Sequence, residues 1–346
     1  MQRERMSNFE LLRIVSMLGI VAIHYMAKDF GGMSGQSSFP EFSWYFSQLI
    51  YSFAYPLVNC FVLISGYFLI NKKNFGIRKV IDLIIITAFY GIIGYIIGVY
   101  CGVTTLSLTG VFYSVFPFFA SRRWFVETYI ILVLLAPFIN KAVRKIDQRS
   151  FQILLVIQVA IFSLWYSIGL SSPVLDDGYG IINFITLYLL GAYYRLFGEK
   201  TFLLKLGKYK LGIAYILCSL LTFGLSYFIY PFGYAFITNI IGSVLAFGFF
   251  IKIGMGYRKR INMLSAAAFD VYFVHSDIYT SRLLIYELLQ GKLFVGSIWM
   301  IPHLIFVSAI VYLFGFFMYK LRRLLFSITI DKALNHSKLV NYNRII

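Results

Sequence analysis

The chain has 346 residues, of which 60% are hydrophobic, 19% aromatic and only 13% charged. Soluble domains carry about 25% charged residues, and a mean hydropathy of +0.79 places this chain among polytopic membrane proteins instead. The formal net charge of +17 is dispersed over short loops between apolar runs, without the continuous basic face that nucleic-acid binding needs, so it is read as a topology signal.

The apolar runs predict an all-α, polytopic membrane bundle of about ten transmembrane helices. They fall at roughly 9–28, 43–70, 78–100, 122–139, 151–170, 181–197, 211–230, 234–254, 264–289 and 296–319. No stretch reads as a linker. The expectation is one membrane domain over 1–346, with a core at about 9–319 and a basic tail at 320–346.

The first span contains Glu10, Arg13 and His24. Ionisable groups in a bilayer are costly and mark functional paths or interior cavities. Arg13 and His24 lie 11 residues apart. In a helix that places them on one face, separated by about 16 Å. Glu10 precedes Arg13 by one turn and can pair with it. These charges, and the lack of a small-residue cleavage site, argue that the first span is not a cleaved signal peptide.

The second span contains Pro56, where a tilt or kink is expected, and Ser65-Gly66-Tyr67. Gly66 suits close helix packing, while Ser65 and Tyr67 can line a cavity. Gly94 and Gly98 in the third span have packing spacing. Residues 29–42 read as a Gly/Ser-rich loop. The apolar stretch at 101–121 is too short to cross and reads as interfacial or re-entrant.

The fourth span opens on Arg122-Arg123-Trp124 with Glu127 one turn on. Two readings stand: a substrate-facing cluster, or an interfacial anchor with Trp124 in the aromatic belt. The ninth span carries Asp270, His275, Asp277 and Arg282, which implies an interior polar cavity. His275 acts there in chemistry or in helix–helix bonding. His303 reads as structural. The cysteines Cys60, Cys101 and Cys218 are scattered, and no metal-ligand spacing, P-loop or dinucleotide fingerprint is present.

With the N-terminus placed in the cytoplasm, most of the 31 Lys and Arg fall on the cytoplasmic side. Lys28, Arg122, Arg123, Arg282 and Lys292 lie at outer span ends, and Arg13 lies within the membrane. The expected location is the cell membrane, multi-pass, with both termini cytoplasmic. Arg13 then sits near the inner mouth and suits phosphate. His24 lies in the outer half, where an imidazole can take a hydroxyl proton or be bonded to a neighbouring helix.

Together these residues resemble the membrane-bound acyltransferase family 3, which includes bacterial O-acetyltransferases of surface polysaccharides. That family's first span carries an Arg and a His separated by ten residues, matched by Arg13 and His24 with the acidic Glu10 before them. Further similar segments are Phe-Val-Leu-Ile-Ser65-Gly66-Tyr67-Phe, Trp124-Phe-Val-Glu127-Thr-Tyr129 running on to Ala-Pro137-Phe-Ile-Asn140, Leu-Tyr-Leu-Leu-Gly191-Ala-Tyr-Tyr-Arg195, and Asp-Val-Tyr272-Phe-Val-His275. Some members carry two arginines separated by two residues near the fourth span; here Arg122 and Arg123 are adjacent. The resemblance covers the membrane core, and the soluble esterase-like domain of some members is not expected here.

The resemblance implies transfer of an acyl group, most simply acetyl, from cytoplasmic acetyl-CoA to a hydroxyl of a cell-surface glycan or its lipid-linked precursor. Acetyl-CoA is then a substrate, and no permanently bound cofactor or metal is expected. His24 would be catalytic, as a base or as a transient acyl carrier, and Arg13 would bind the donor. Glu10, Ser65, Tyr67, Arg122, Arg123, Glu127, His275 and Arg282 would bind substrate or support the site. The competing classes are a transporter or flippase, and a polymerase, for lipid-linked saccharides. The expected partners are the donor, the glycan acceptor and the lipid bilayer, with no nucleic acid.

The orientation is testable with reporter fusions. Alkaline phosphatase inserted at 101–121 should be active, whereas a fluorescent protein fused at 140–150 or after 346 should fluoresce. The opposite pattern would invert the topology.

Overall fold

The computed structural model describes residues 6–27, 39–72, 76–120, 123–170, 176–281 and 283–330. Arg122 and Arg282, most of the 29–42 loop and the tail beyond 330 lie outside the described residues.

The described chain is all-helical. Seven helices are long and apolar enough to cross a membrane. They are α1 (Ser7–Met26), α2 (Phe42–Leu69), α3 (Ile77–Tyr100), α5 (Trp124–Val143), α6 (Gln148–Ser167), α8 (Lys208–Leu225) and α12 (Met300–Ile328). Two shorter apolar helices are α7 (Ile181–Phe197) and α9 (Ile237–Lys252). Helices suit this sequence because a bilayer offers no water to satisfy backbone groups, so each segment must bond internally. Pro56 lies inside α2 and Pro137 inside α5. Ser107 Oγ accepts the Gly110 amide and starts α4 (Leu108–Val115). Asp147 caps α6 by accepting the amides of Arg149 and Ser150. The Ser150 hydroxyl and amide hold its carboxyl below the usual range.

The ninth apolar stretch is not one continuous helix. It comprises α10 (Lys259–Ser265), α11 (Ala268–His275) and a π-helical turn at Leu283–Leu288. Asp277 explains the interruption after α11. Its Oδ1 accepts the amides of Tyr279 at 3.0 Å and Thr280 at 3.2 Å, a local turn that replaces helical bonding.

The chain forms two compact units. One is drawn from Met1–Gly19, Gln48–Phe75 and Thr128–Ser265, the other from Ile20–Ser47, Gly76–Glu127 and Ala266–Ile346. Helices α1, α2 and α5 each contribute residues to both.

In the first unit, α2 and α7 approach through glycines. A Cβ on Gly66 would lie 3.0 Å from the Tyr188 Cα, and one on Gly191 equally near the Leu63 Cα, with both still closer to the carbonyls. Gly66 is therefore a packing residue, as its sequence context suggests. Asn140 ties the ends of α2 and α5, donating to the Leu69 and Lys72 carbonyls and accepting from Tyr188.

In the second unit, α3 presents Gly91, Gly94 and Gly98. Gly91 lies against the Ser114 backbone of α4, Gly94 against the Asp277 carboxylate and Gly98 against the Tyr279 side chain. The Gly94–Gly98 spacing thus serves packing, and it lets the interrupted segment lie on α3. The stretch at 101–121 forms α4, with Leu108 90% and Phe112 47% exposed on an apolar outer face. Helix α12 continues well past residue 319. Arg322, assigned by sequence to a basic tail, is instead buried, with Nε 2.6 Å and Nη2 3.0 Å from the Asp270 carboxylate. Tyr90 donates to the same carboxylate at 2.7 Å, and its ring stacks on Phe273.

Breaking this buried pair should be strongly destabilising. Asp270→Ala leaves the Arg322 guanidinium uncompensated and should cost about 3–5 kcal/mol, read as a lower thermal-unfolding midpoint in detergent. An unchanged midpoint would show that the pair is dispensable.

Candidate active site

The first unit gathers cations around the opening turns of α1. Glu10 is buried and accepts from two directions. Arg13 Nη1 lies 2.5 Å from one carboxylate oxygen, and Ser265 Oγ donates to the other at 2.6 Å. Glu10 therefore orients Arg13, as the i,i+3 spacing predicts. Arg13 is 30% exposed, and this is its single hydrogen bond among the described residues, so its other N–H groups remain available. Ser7 donates to Asn262 and accepts the Arg258 amide, which pins the exposed Arg258-Lys259-Arg260 run beside the start of α1.

Phe9 packs against Tyr67, ring centroids 4.9 Å apart. Arg195 lies over the Tyr67 ring at 5.1 Å and donates to its hydroxyl at 3.4 Å. Arg195 escaped the site reading because it resembled an ordinary basic helix end. Its signal was its place in the Gly191-to-Arg195 segment. Ser65 donates to the Phe61 carbonyl and shares a 2.9 Å hydrogen bond with the Tyr129 hydroxyl, so it joins two helices.

The second unit contains the histidines. His24, near the end of α1, has its ring centroid 5.0 Å from that of His275, with the planes tilted by 46°. His24 is partly exposed and His275 fully buried. His275 Nδ1 lies 2.5 Å from the Val271 carbonyl oxygen. A carbonyl only accepts, so Nδ1 carries the proton and the neutral ring keeps its lone pair on Nε2. That Nε2 is buried without a hydrogen-bond partner among the described residues.

His303 is arranged differently. Its Nε2 donates to the Leu289 carbonyl at 2.8 Å, and its Nδ1 accepts from the Tyr25 hydroxyl at 2.7 Å. Both ring nitrogens are engaged, and Phe294 stacks on the ring 4.0 Å away. His303 therefore holds the α1 residue next to His24.

Arg123 is buried. Its Nη2 lies 2.7 Å from Asp277 Oδ2, its Nη1 donates to Ser276 Oγ at 3.2 Å, and its guanidinium sits 4.9 Å over the Phe273 ring. Glu127 does not meet that guanidinium in an i,i+4 ion pair; its carboxylate accepts the Arg123 backbone amide at 3.0 Å and caps α5. The sequence pattern could not separate these outcomes, because both need the same spacing. Arg123 and Asp277 also line a small pocket with Tyr113, Ser114 and Tyr279. The fold thus brings Glu10 and Arg13 together in one unit, and His24, His275 and Arg123 in the other. Among the described residues no cluster of His, Cys, Asp and Glu is arranged to hold a metal ion.

One family model, the acyltransferase domain, matches residues 6–326 of this membrane bundle. The chain belongs to acyltransferase family 3. It is a multi-pass membrane acyltransferase, which implies an acyl donor and an acceptor. No curated protein and no solved structure matches the chain. In this acyltransferase, the first helix carries Arg13 paired with Glu10 and His24 beside His275.

Asp277 should be critical to those surroundings. Asp277→Ala removes both the partner of Arg123 and the turn after α11, so it should lower acyl transfer more than Ser276→Ala, which removes one neutral partner. Equal activities of the two variants, measured at matched membrane levels, would contradict this.

Proposed function

We propose that the protein is an O-acetyltransferase that moves an acetyl group from cytoplasmic acetyl-CoA to a hydroxyl of a cell-surface glycan or its lipid-linked precursor. The observation that carries this reading is α1 itself. One unbroken helix bears Arg13, oriented by Glu10 with spare N–H groups, and His24, beside a second imidazole. The family supplies the reaction class.

Phosphate groups of the donor suit Arg13, whose guanidinium makes charge-assisted bonds. Arg195 and the Arg258-Lys259-Arg260 run add positive charge in the same unit. The inner position of this end of α1 rests on the distribution of Lys and Arg, which favours cytoplasmic termini. The whole membrane core acts as a single domain in this reading.

His24 supplies a ring nitrogen at the reacting group. It takes the proton of the attacking hydroxyl, or first accepts the acetyl group itself. Either role needs a lone pair facing the substrate. Arg122, Arg123 and Arg282 lie at span ends that the charge distribution assigns to the outer side, where they serve the acceptor or the developing charge. Ser65 and Tyr67 support the walls.

Two variants test the division along α1. In correctly inserted protein, His24→Ala should reduce kcat by roughly 10²–10⁴-fold. Arg13→Gln should raise the KM for acetyl-CoA by roughly tenfold or more, the scale of one charged hydrogen bond, with a smaller change in kcat. Normal turnover in His24→Ala would remove His24 from the chemistry. In cells, loss of glycan acetylation with normal glycan export is expected on deletion, whereas lost export would favour a transporter.

A further inference from the structure

Among the described residues the buried charges are partnered, and His303 uses both ring nitrogens. Asp270 holds Tyr90 and Arg322, and Asp277 holds Arg123. His275 departs from this pattern. It is 0% exposed, its Nδ1–H is committed to Val271, and its Nε2 lone pair has no partner. A buried acceptor without a donor is unfavourable and calls for an explanation.

The neighbour that explains it is His24. A ring nitrogen stands about 1.1 Å from its centroid, so an N–H···N bond of about 2.9 Å between two imidazoles puts the centroids about 5 Å apart. The observed separation is 5.0 Å with the planes tilted by 46°, close enough for such a bond, although the structure does not form it at Nε2. Hydrogen bonds at catalytic sites are often loose in the free enzyme and tighten when substrate binds.

We propose that His275 is a positioning residue, whose Nε2 accepts a ring N–H of His24 and so fixes the tautomer that presents the other His24 nitrogen to the substrate. This rests on His24 being the catalytic histidine. The arrangement performs the task that a buried carboxylate performs for histidine in a Ser-His-Asp triad, but with a neutral acceptor. Full burial suits this role. A group that touched the acceptor directly would need some exposure, and His24 is partly exposed where His275 is not. When His24 takes a proton, the N–H···N bond to His275 stabilises the resulting imidazolium. The Val271 carbonyl is therefore the far end of the chain of contacts, because it dictates which nitrogen of His275 is the acceptor.

Two substitutions separate positioning from mere packing. In His275→Asn, the amide N–H can keep the bond to Val271 but nothing replaces Nε2. In His275→Gln, the amide oxygen can reach the Nε2 position and accept from His24. His275→Asn should lower kcat by roughly 10²-fold with the KM for acetyl-CoA little changed, and His275→Gln should recover a substantial part of that loss. The chain has 4 histidines, so ¹⁵N-histidine solid-state NMR of the full protein in bilayers can follow the tautomer directly. One tautomer of His24 should dominate in the parent and in His275→Gln, and a mixture or the opposite tautomer should appear in His275→Asn. An unchanged His24 tautomer in His275→Asn would overturn the proposal, as would His275→Gln being no better than His275→Asn. Absence of any acyl transfer by the parent would instead defeat the functional reading and leave the NMR comparison as the test of the pair.

Discussion

Burial of charge in hydrocarbon is the constraint on which this structure depends. An unpaired ion in a bilayer costs several kcal/mol, and an isolated buried backbone group is also penalised. Glu10 therefore collects Arg13 and Ser265, Asp277 collects Arg123 and two backbone amides, and Asp270 collects Arg322 and Tyr90. Through Ser265, Arg123 and Arg322 these carboxylates join helix segments that a purely apolar interface would leave free to slide, since lipid tails are as apolar as leucine.

The interruption after α11 follows from the same rule. A helix may stop at membrane depth only where protein groups replace the lost backbone bonds. Asp277 provides them, Arg123 neutralises Asp277, and the glycines of α3 clear the space in which the turn lies. His275 is the last residue of α11, immediately before this turn. Its ring is held on one side by the Val271 carbonyl and faces His24 on the other. A histidine pair at a broken helix end is thus a product of the same packing that settles the charges.

Much of this was legible in the sequence. Hydropathy marked the long helices, and the i,i+3 spacing of Glu10 and Arg13 announced their pairing. Gly66 and Gly94 could be read as packing residues from their small size within apolar runs. Other features resisted. Glu127, one turn on from Arg123, took its backbone amide, because the start of a helix leaves its amides unsatisfied. Arg322 read as a tail residue because hydropathy falls where Lys and Arg cluster, although its partner Asp270 lies far away along the chain. Arg195 read as an ordinary basic helix end, and its place over Tyr67 came from the fold.

By itself the sequence determined that the chain is an all-helical membrane bundle, and it marked Arg13 and His24 as misfits on one helix. Those properties are sums over neighbouring residues, and a helix of known rise converts their spacing into geometry. Only the tertiary structure decided which charges pair across helices, where the ninth stretch breaks and which imidazole stands beside His24. Such pairings join distant residues, 154 positions apart for Arg123 and Asp277 and 52 for Asp270 and Arg322, and no local period encodes them. The free lone pair of His275 belongs to both levels: its hydrogen bond to Val271 is local, but its meaning comes from the ring that the fold sets 5.0 Å away.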